Sequence, residues 1–370
     1  MSRKLFIIAG EPSGDLHGAN LVKELKRLDP ELEIACWGGD KMEKQGAKVL
    51  KHIDDLAFMG FVEVVANLFT ILKNFKLCKL QIESFKPDAV LLIDYPGFNL
   101  RMAEHIKKMD IPVHYYISPQ IWAWKESRAK KIKAFVDKVF VILPFEKAFY
   151  AKHGIEAEYV GHPLLDEIEK VQDDRLEFCD RNNLDVNRAI ISVLPGSRKQ
   201  EISKILPLVN RLQKALPNYQ IVVSKVAWLP QSMYDEALHS DIKLIEGNTY
   251  ELIRMSEAAV VTSGTATLET AILGTPEVVI YKANALSVIL ARWLVKIKYI
   301  SLVNLILDRM AVVELIQGKA NHDRLLAELK LILIDGSRRS QVLKDYEDLM
   351  NKLGTGGASE IVAKALLKSL

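Results

Sequence analysis

The stretch Leu194-Pro195-Gly196-Ser197-Arg198 has the residue types to hold a phosphate. An apolar, β-type run ends in a Pro-Gly turn, then meets a hydroxyl and an arginine, and Lys199 to Leu216 reads as a helix. Strand, tight turn and helix start is how α/β proteins aim backbone N–H groups at an anion. Gly196 lets the main chain approach closely, Ser197 can cap the helix, and Arg198 can fork onto phosphate oxygens. An ordinary βα turn with an exposed arginine has the same spelling, so this motif alone does not decide. A second loop, Thr262 to Glu269, places Ser263, Gly264 and Thr265 at a predicted helix start, where hydroxyls and the helix dipole suit an anion. Glu269 falls in the first turns of that helix, where a carboxylate can accept from the two hydroxyls of a ribose; a well-capped helix is the plainer alternative. Asp94 follows the apolar run Val90–Ile93 and precedes Pro96 and Gly97. A carboxylate there sits on the ligand edge of a parallel sheet and can act as general base, or can simply cap the next helix. His17, His114 and His162 are alternatives for the base. Asn304 lies inside an apolar run, and Gln317 follows another; a buried amide must bond to backbone or reach a ligand.

The elements that must position these residues form two series. Strands are predicted at Leu5–Ala9, Ile34–Trp37, Val90–Ile93, Val113–Ile117 and Lys138–Leu143, with Gly10-Glu11-Pro12-Ser13-Gly14-Asp15 as a loop and His17–Leu28 as a helix. A polar linker is expected over Asp166–Asn187. A second series is predicted at Ala189–Leu194, Gln220–Ser224, Ile242–Ile245, Ala258–Thr262 and Glu277–Ile280. Two strand–helix series of similar length imply an α/β protein of two Rossmann-like, doubly wound parallel-sheet domains facing across a cleft, over 1–165 and 166–345. A C-terminal helical segment, 346–370, is expected to pack back on the first domain or on a partner subunit.

Bulk composition narrows the function classes. Lys+Arg 50 against Asp+Glu 47 gives a net charge of +3, which does not point to nucleic acid. Cys36, Cys78 and Cys179 lie far apart with no CxxC, implying a reducing compartment with neither a disulfide framework nor zinc. The Gly10–Asp15 segment is not GxGxxG, which disfavours a nicotinamide enzyme; no cofactor and no metal are expected. The first residues read as a strand rather than a signal peptide, because Glu11 follows a short apolar run at once. No apolar run reaches the roughly 18 residues that span a bilayer. A cytoplasmic protein is therefore expected.

Two stretches nevertheless suggest lipid. Phe61 to Leu72, including Val62, Val65, Leu68, Phe69 and Leu72, is apolar on most sides, with Lys73, Lys76 and Lys79 beyond it. Leu286 to Ile300 interleaves Trp293 and aliphatic residues with Arg292, Lys296 and Lys298. Both patterns suit a membrane surface, and both suit core helices with outward lysines. Arg128, Lys130, Lys131 and Lys133 add a basic face suited to an anionic surface, a sugar phosphate or plain solvent.

Taken together, the motifs bear a resemblance. GEPSGD (10–15), MGFVEV (59–64), IDYPGFN (93–99), YISPQIWAW (116–124), LPFEKAFY (143–150), VGHP (160–163), LPGSR (194–198), TSGTATLE (262–269) and SLVNLI (301–306) occur in that order. Nearly end to end, the chain resembles the lipid-A-disaccharide synthases, inverting glycosyltransferases of the GT-B type. The resemblance implies transfer from UDP-2,3-diacylglucosamine to 2,3-diacylglucosamine 1-phosphate, giving a β-1,6-linked disaccharide 1-phosphate and UDP, in the lipid A synthesis of Gram-negative bacteria. It implies that Asp94 is the base for the acceptor 6-hydroxyl. It implies that Gly14, His17, Gly196, Ser197, Arg198, Ser263, Gly264, Thr265, Glu269, Asn304 and Gln317 bind substrate. It also implies a peripheral protein on the inner face of the cytoplasmic membrane and a homodimer with exchanged C-terminal segments. The family pattern has proline where this chain has Val303. No Asp-X-Asp, the usual carboxylate pair for a metal-held diphosphate, occurs. Rival readings are another UDP-sugar enzyme, such as an epimerase or a transferase with a soluble acceptor, and a non-catalytic nucleotide-binding protein at the membrane.

Overall fold

Runs such as Phe6-Ile7-Ile8 and Val90-Leu91-Leu92 have no polar face, so they form strands buried on both sides of an all-parallel sheet. In a computed structural model, which describes residues 3–56, 68–168, 174–238, 242–283 and 298–370, those runs build two sheets. The first contains β1 (Lys4–Ala9), β2 (Glu33–Gly38), β3 (Lys48–His52), β4 (Ala89–Ile93), β5 (Val113–Tyr116), β6 (Lys138–Val141) and β7 (Ala157–Tyr159), in the order β3-β2-β1-β4-β5-β6-β7. The second contains β8 (Ala189–Leu194), β9 (Tyr219–Lys225), β10 (Lys243–Glu246), β11 (Ser256–Thr262), β12 (Glu277–Tyr281) and β13 (Val313–Ile316), in the order β10-β9-β8-β11-β12-β13.

Each order reverses direction once, between β1 and β4 and between β8 and β11. Ligands of open α/β sheets bind beyond the strand ends at such reversals. Ala9 pairs with Ile93, so Gly10-Glu11 and Asp94-Tyr95 leave the first sheet side by side. Leu194 pairs with Val261, which does the same for the Pro195–Arg198 and Ser263–Thr265 turns of the second.

Chain contacts divide the protein into Met1–Pro163 with Thr355–Leu370, and Leu164–Gly354. The tail is not one element. Helix Arg339–Leu353 belongs to the second unit, where the Tyr346 hydroxyl donates to Thr275 O at 3.3 Å. Only helix Ala358–Leu367 joins the first unit, burying Ala358, Val362, Ala363 and Leu366 among Leu21, Val22 and Leu25. Arg27 and Glu360 pair beside that contact at 2.9 Å.

Four sequence expectations change. The first helix begins at Pro12, not His17, because proline fits a helix start, where the missing N–H has no partner to lose. The expected linker contains helices Leu164–Ile168 and Arg175–Arg181. Asp174 caps the second of these, accepting from Glu177 N at 3.0 Å. The helix after Arg198 stops at Val209 and resumes over Leu212–Ala215; Pro207 cannot donate within its last turn. The edge strands β3, β7 and β13 complete the sheets where no strand was expected. Among the described residues, no helix is long and apolar enough to cross a membrane.

Candidate active site

At the end of β4 the backbone turns through two consecutive left-handed residues, Asp94 (φ 44°) and Tyr95 (φ 47°). Each such non-glycine residue costs on the order of 1–3 kcal/mol, so the surroundings must enforce it. Tyr115 Oη donates to Asp94 O at 2.6 Å, and Asn99 Nδ2 donates to the same oxygen at 2.7 Å. Asp94 N donates to Tyr116 O at 3.2 Å. Asn99 is itself fully buried in the first turn of helix Pro96–Lys107. The Tyr95 ring lies over Gly10, where a Cβ would come within 2.3 Å of it. That contact explains why glycine opens the Gly10–Asp15 segment.

The turn aims the Asp94 side chain into a cavity of about 280 Å³ that Ile117, Ser118, Gln120, Trp124 and Glu146 also line. Burial, and then the charge of Glu11, push the Asp94 carboxyl up to about 6, against a smaller opposing pull from the Tyr95 N–H. A carboxylate that binds a proton near neutrality is well matched to general-base work. Ile117, a β-branched residue with φ 56°, is a third strained position on the same wall.

Sequence reasoning passed over Glu146. Its carboxylate is buried in the same cavity, accepting from Trp122 Nε1 at 3.0 Å, Leu143 N at 2.9 Å and Ile142 N at 3.2 Å. Burial pushes it up to about 7, with those three donors opposing. Its one sequence signal, a lone acid between Phe145 and Lys147 in LPFEKAFY, is weak.

Other candidates of the first unit have packing roles. Gly14 is buried, and a Cβ there would come 3.2 Å from Ala9 Cβ, so it lets the helix lie close on β1. Asp15 accepts from Gly39 N, Lys41 N and Met42 N, pinning the turn after β2. His17 lies near His162, whose imidazole is pushed down to about 3 by burial and then by the His17 charge.

In the second unit Gly196 has φ +100° and supports a turn that closes on Glu201. Glu201 Oε2 accepts from Ser197 N (3.1 Å) and Arg198 N (3.2 Å), and Oε1 accepts from Arg198 Nη1 (3.1 Å). The expected Ser197 cap is thus replaced by a glutamate reaching back from the third helical position. This carboxylate occupies the donors that an external anion would use. The Arg198 side chain is 77% exposed.

On the neighbouring turn, Ser263 Oγ donates to Ile300 O at 2.7 Å. Gly264 and Thr265 are exposed at the start of helix Thr265–Ile272. Glu269 accepts from Tyr250 Oη at 3.2 Å, and burial raises its pKa. Asn304 is fully committed. Its Nδ2 donates to Val312 O and Glu314 Oε1, both at 2.9 Å, and its Oδ1 accepts from Ala311 N (2.8 Å) and Val312 N (3.0 Å). That uses the amide's capacity within the protein, which is the backbone-bonding alternative for this residue. Val303 sits in the first turn of helix Leu302–Leu307, where valine and proline are both accommodated because the N–H has no partner within the helix. Gln317, beyond β13, combines φ 55° with a buried Nε2 that has no partner among the described residues.

Of the lipid-facing candidates, Val62, Val65 and the side chain of Leu68 lie outside the described residues, as do all of MGFVEV (59–64) and most of Leu286–Ile300. Phe69 is 88% and Leu72 54% exposed on helix Leu68–Phe85.

Residues 5–368 match the family model described as Lipid-A-disaccharide synthetase. The chain belongs to that family. It is 40% identical to the lipid-A-disaccharide synthase of Syntrophus aciditrophicus over 99% of this chain and 98% of the relative. It is 37% identical to the synthase of a Coxiella burnetii strain, again over 99% and 98%. Among solved structures it is similar to the Neisseria meningitidis UDP-GlcNAc 2-epimerase bound to UDP-GlcNAc (TM-score 0.68, 16% identity, 99% of this chain and 100% of that one). It is equally similar to the glycotransferase of kitacinnamycin (TM-score 0.68, 14% identity, 100% of both chains). The two parallel-sheet units of this family member are therefore those of a GT-B fold.

Proposed function

We infer that the chain is a glycosyltransferase of lipid A synthesis, joining UDP-2,3-diacylglucosamine to 2,3-diacylglucosamine 1-phosphate. The observation that carries the catalytic assignment is Asp94, a desolvated carboxylate held in an enforced turn at the reversal point of the first sheet. In this reading Asp94 takes the proton of the acceptor 6-hydroxyl. The oxygen attacks the donor anomeric carbon, and the bond to UDP breaks with its electron pair leaving on the diphosphate. Attack from the face opposite UDP inverts the anomeric centre and gives the β-1,6 linkage.

Arg198 and the N–H groups of the Gly196–Arg198 and Ser263–Thr265 turns supply positive charge to the departing diphosphate. Glu269 accepts from the ribose. Gln317 offers its unpartnered amide to the donor. His17 and Gly14 remain candidates for the acceptor side, Gly14 through its backbone only. Exposed Phe69 and Leu72, with Lys73 and Lys76 alongside, support contact with the inner face of the cytoplasmic membrane. The seat of helix Ala358–Leu367 on Pro12–Leu28 is one that the tail of a second copy can also fill, which supports an exchanged homodimer.

The test is release of free UDP from acylated and deacylated donor, with and without acylated acceptor. Release that requires acylated donor and acceptor supports the reading; release without acceptor, or conversion of the donor sugar alone, rejects it. Replacing Phe69 and Leu72 by serine is expected to weaken sedimentation with vesicles while shifting stability by less than about 0.5 kcal/mol, checked by thermal melting. Unfolding on that change would return the stretch to the core.

A further inference from the structure

We propose that Trp124, Lys125 and Arg128 form a site for a phosphate monoester at the wall of the Asp94 cavity, and that it takes the 1-phosphate of the acceptor. The identity of the acceptor rests on the function proposed above; the site rests on the following geometry. Lys125 Nζ stands 4.4 Å from the Trp124 ring centroid and Arg128 Cζ 5.4 Å from it. Trp124 is 42% exposed and lines the cavity that Asp94 and Glu146 share.

Two cations gathered on one indole repel each other. An aromatic face attracts them without neutralising them. Among the described residues, neither is paired with a carboxylate. The acids nearby are committed elsewhere: Glu126 to His153 at 3.2 Å, and Glu104 to Lys108 at 3.4 Å and Lys131 at 3.9 Å. Lys125 is also held at φ 57°, a conformation a lysine does not favour. Arg128 is close enough for its charge to act on Tyr115, whose hydroxyl donates to Asp94 O.

A phosphate monoester dianion answers both charges at once, with the guanidinium fork on two oxygens and the ammonium on a third. Carboxylates of Asp94 and Glu146 line one part of the cavity, and the two cations stand on Trp124. A sugar phosphate entering the cavity meets the cations at Trp124 with its phosphate, which leaves its ring and hydroxyls toward the carboxylates. With the phosphate anchored there, the 6-hydroxyl, which hangs from C5 on the other side of the ring oxygen from C1, stays free to reach Asp94.

Lipid headgroups offer phosphate too, as diesters, so the experiment has separate arms. Full-length Lys125→Gln, Arg128→Gln and the double variant are assayed for UDP release with 2,3-diacylglucosamine 1-phosphate and with the same acylated sugar lacking the phosphate. The wild type is expected to prefer the phosphorylated acceptor. The double variant is expected to lose that preference by roughly tenfold to a hundredfold through the acceptor KM, with the donor KM and the melting temperature unchanged. A preference left intact in the double variant, or absent in the wild type, overturns the proposal. So does a double variant that loses only sedimentation with phosphatidylglycerol vesicles, which would assign the cations to headgroups. Glucosamine 1-phosphate, titrated against tryptophan fluorescence with glucosamine as control, decides the site without turnover. Saturable quenching by the phosphate alone, abolished by Arg128→Gln, supports it, and no quenching rejects it. A wild type that releases no UDP from either acceptor counts against the proposed function, while this titration still decides the site.

Discussion

The reversal points of the two sheets are built on one topology and differ in nearly everything else. Beyond β4 the chain is half-buried and strained: Asp94, Tyr95 and nearby Ile117 all carry positive φ, and two carboxyls are raised to about 6 and about 7. Beyond β8 and β11 the chain is exposed. Arg198 extends into solvent, and the turn's own donors are satisfied by Glu201. The contrast fits the chemistry proposed for each edge. A base must be poorly solvated for its proton affinity to rise toward neutrality. A diphosphate site must instead present many donors, and here Glu201 shares them.

The sharpest way to break this comparison is Asp94→Asn. Turnover is expected to fall by about 10²–10⁴ while UDP affinity, measured by calorimetry, persists. Near-normal turnover would move the base elsewhere. Arg198→Ala should lower kcat by roughly 10²–10³ if the guanidinium meets charge developing on the leaving group. A change confined to the donor KM would make it only a binding residue.

pH gives the next test. Asp94 must be ionised to act, so kcat/KM should fall as pH drops through about 6. Stability runs the other way. A carboxyl with a raised folded pKa favours the folded state when protonated, and that contribution disappears as pH rises through about 6. Asp94→Asn should therefore melt higher than the wild type near pH 8, with the gap closing toward about pH 4. The smallest expected effect is on the wet edge. Glu201→Gln removes the charge competing for the Ser197 and Arg198 donors, so UDP should bind a few-fold more tightly.

What the sequence disclosed follows the same division. Strands buried on both faces, such as β4 and β8, were legible because a parallel sheet requires unbroken apolar runs. The edge strands β3, Lys48-Val49-Leu50-Lys51-His52, and β13, Val313-Glu314-Leu315-Ile316, were not, because a half-exposed edge mixes charge into the run. Gly14 and Asp15 look like loop residues by composition. They prove to be a helix–strand contact and a backbone clamp, because neighbours that decide their roles come from elsewhere in the chain. Asn304 left backbone and ligand both open for the same reason. Its partners at 311–314 cannot be read from its own apolar run. Glu146 was missed because a single acid carries no spacing to recognise.

The seat of helix Ala358–Leu367 on Pro12–Leu28 has a consequence for biosynthesis. The first unit draws on both ends of the chain, with the whole of the second encoded in between. On the ribosome the nascent N-terminal sheet emerges early, but the apolar stripe of its first helix stays bare until the last helix has been translated. The second unit, contiguous in the message, can mature first, while the opening helix of the first waits for its cover.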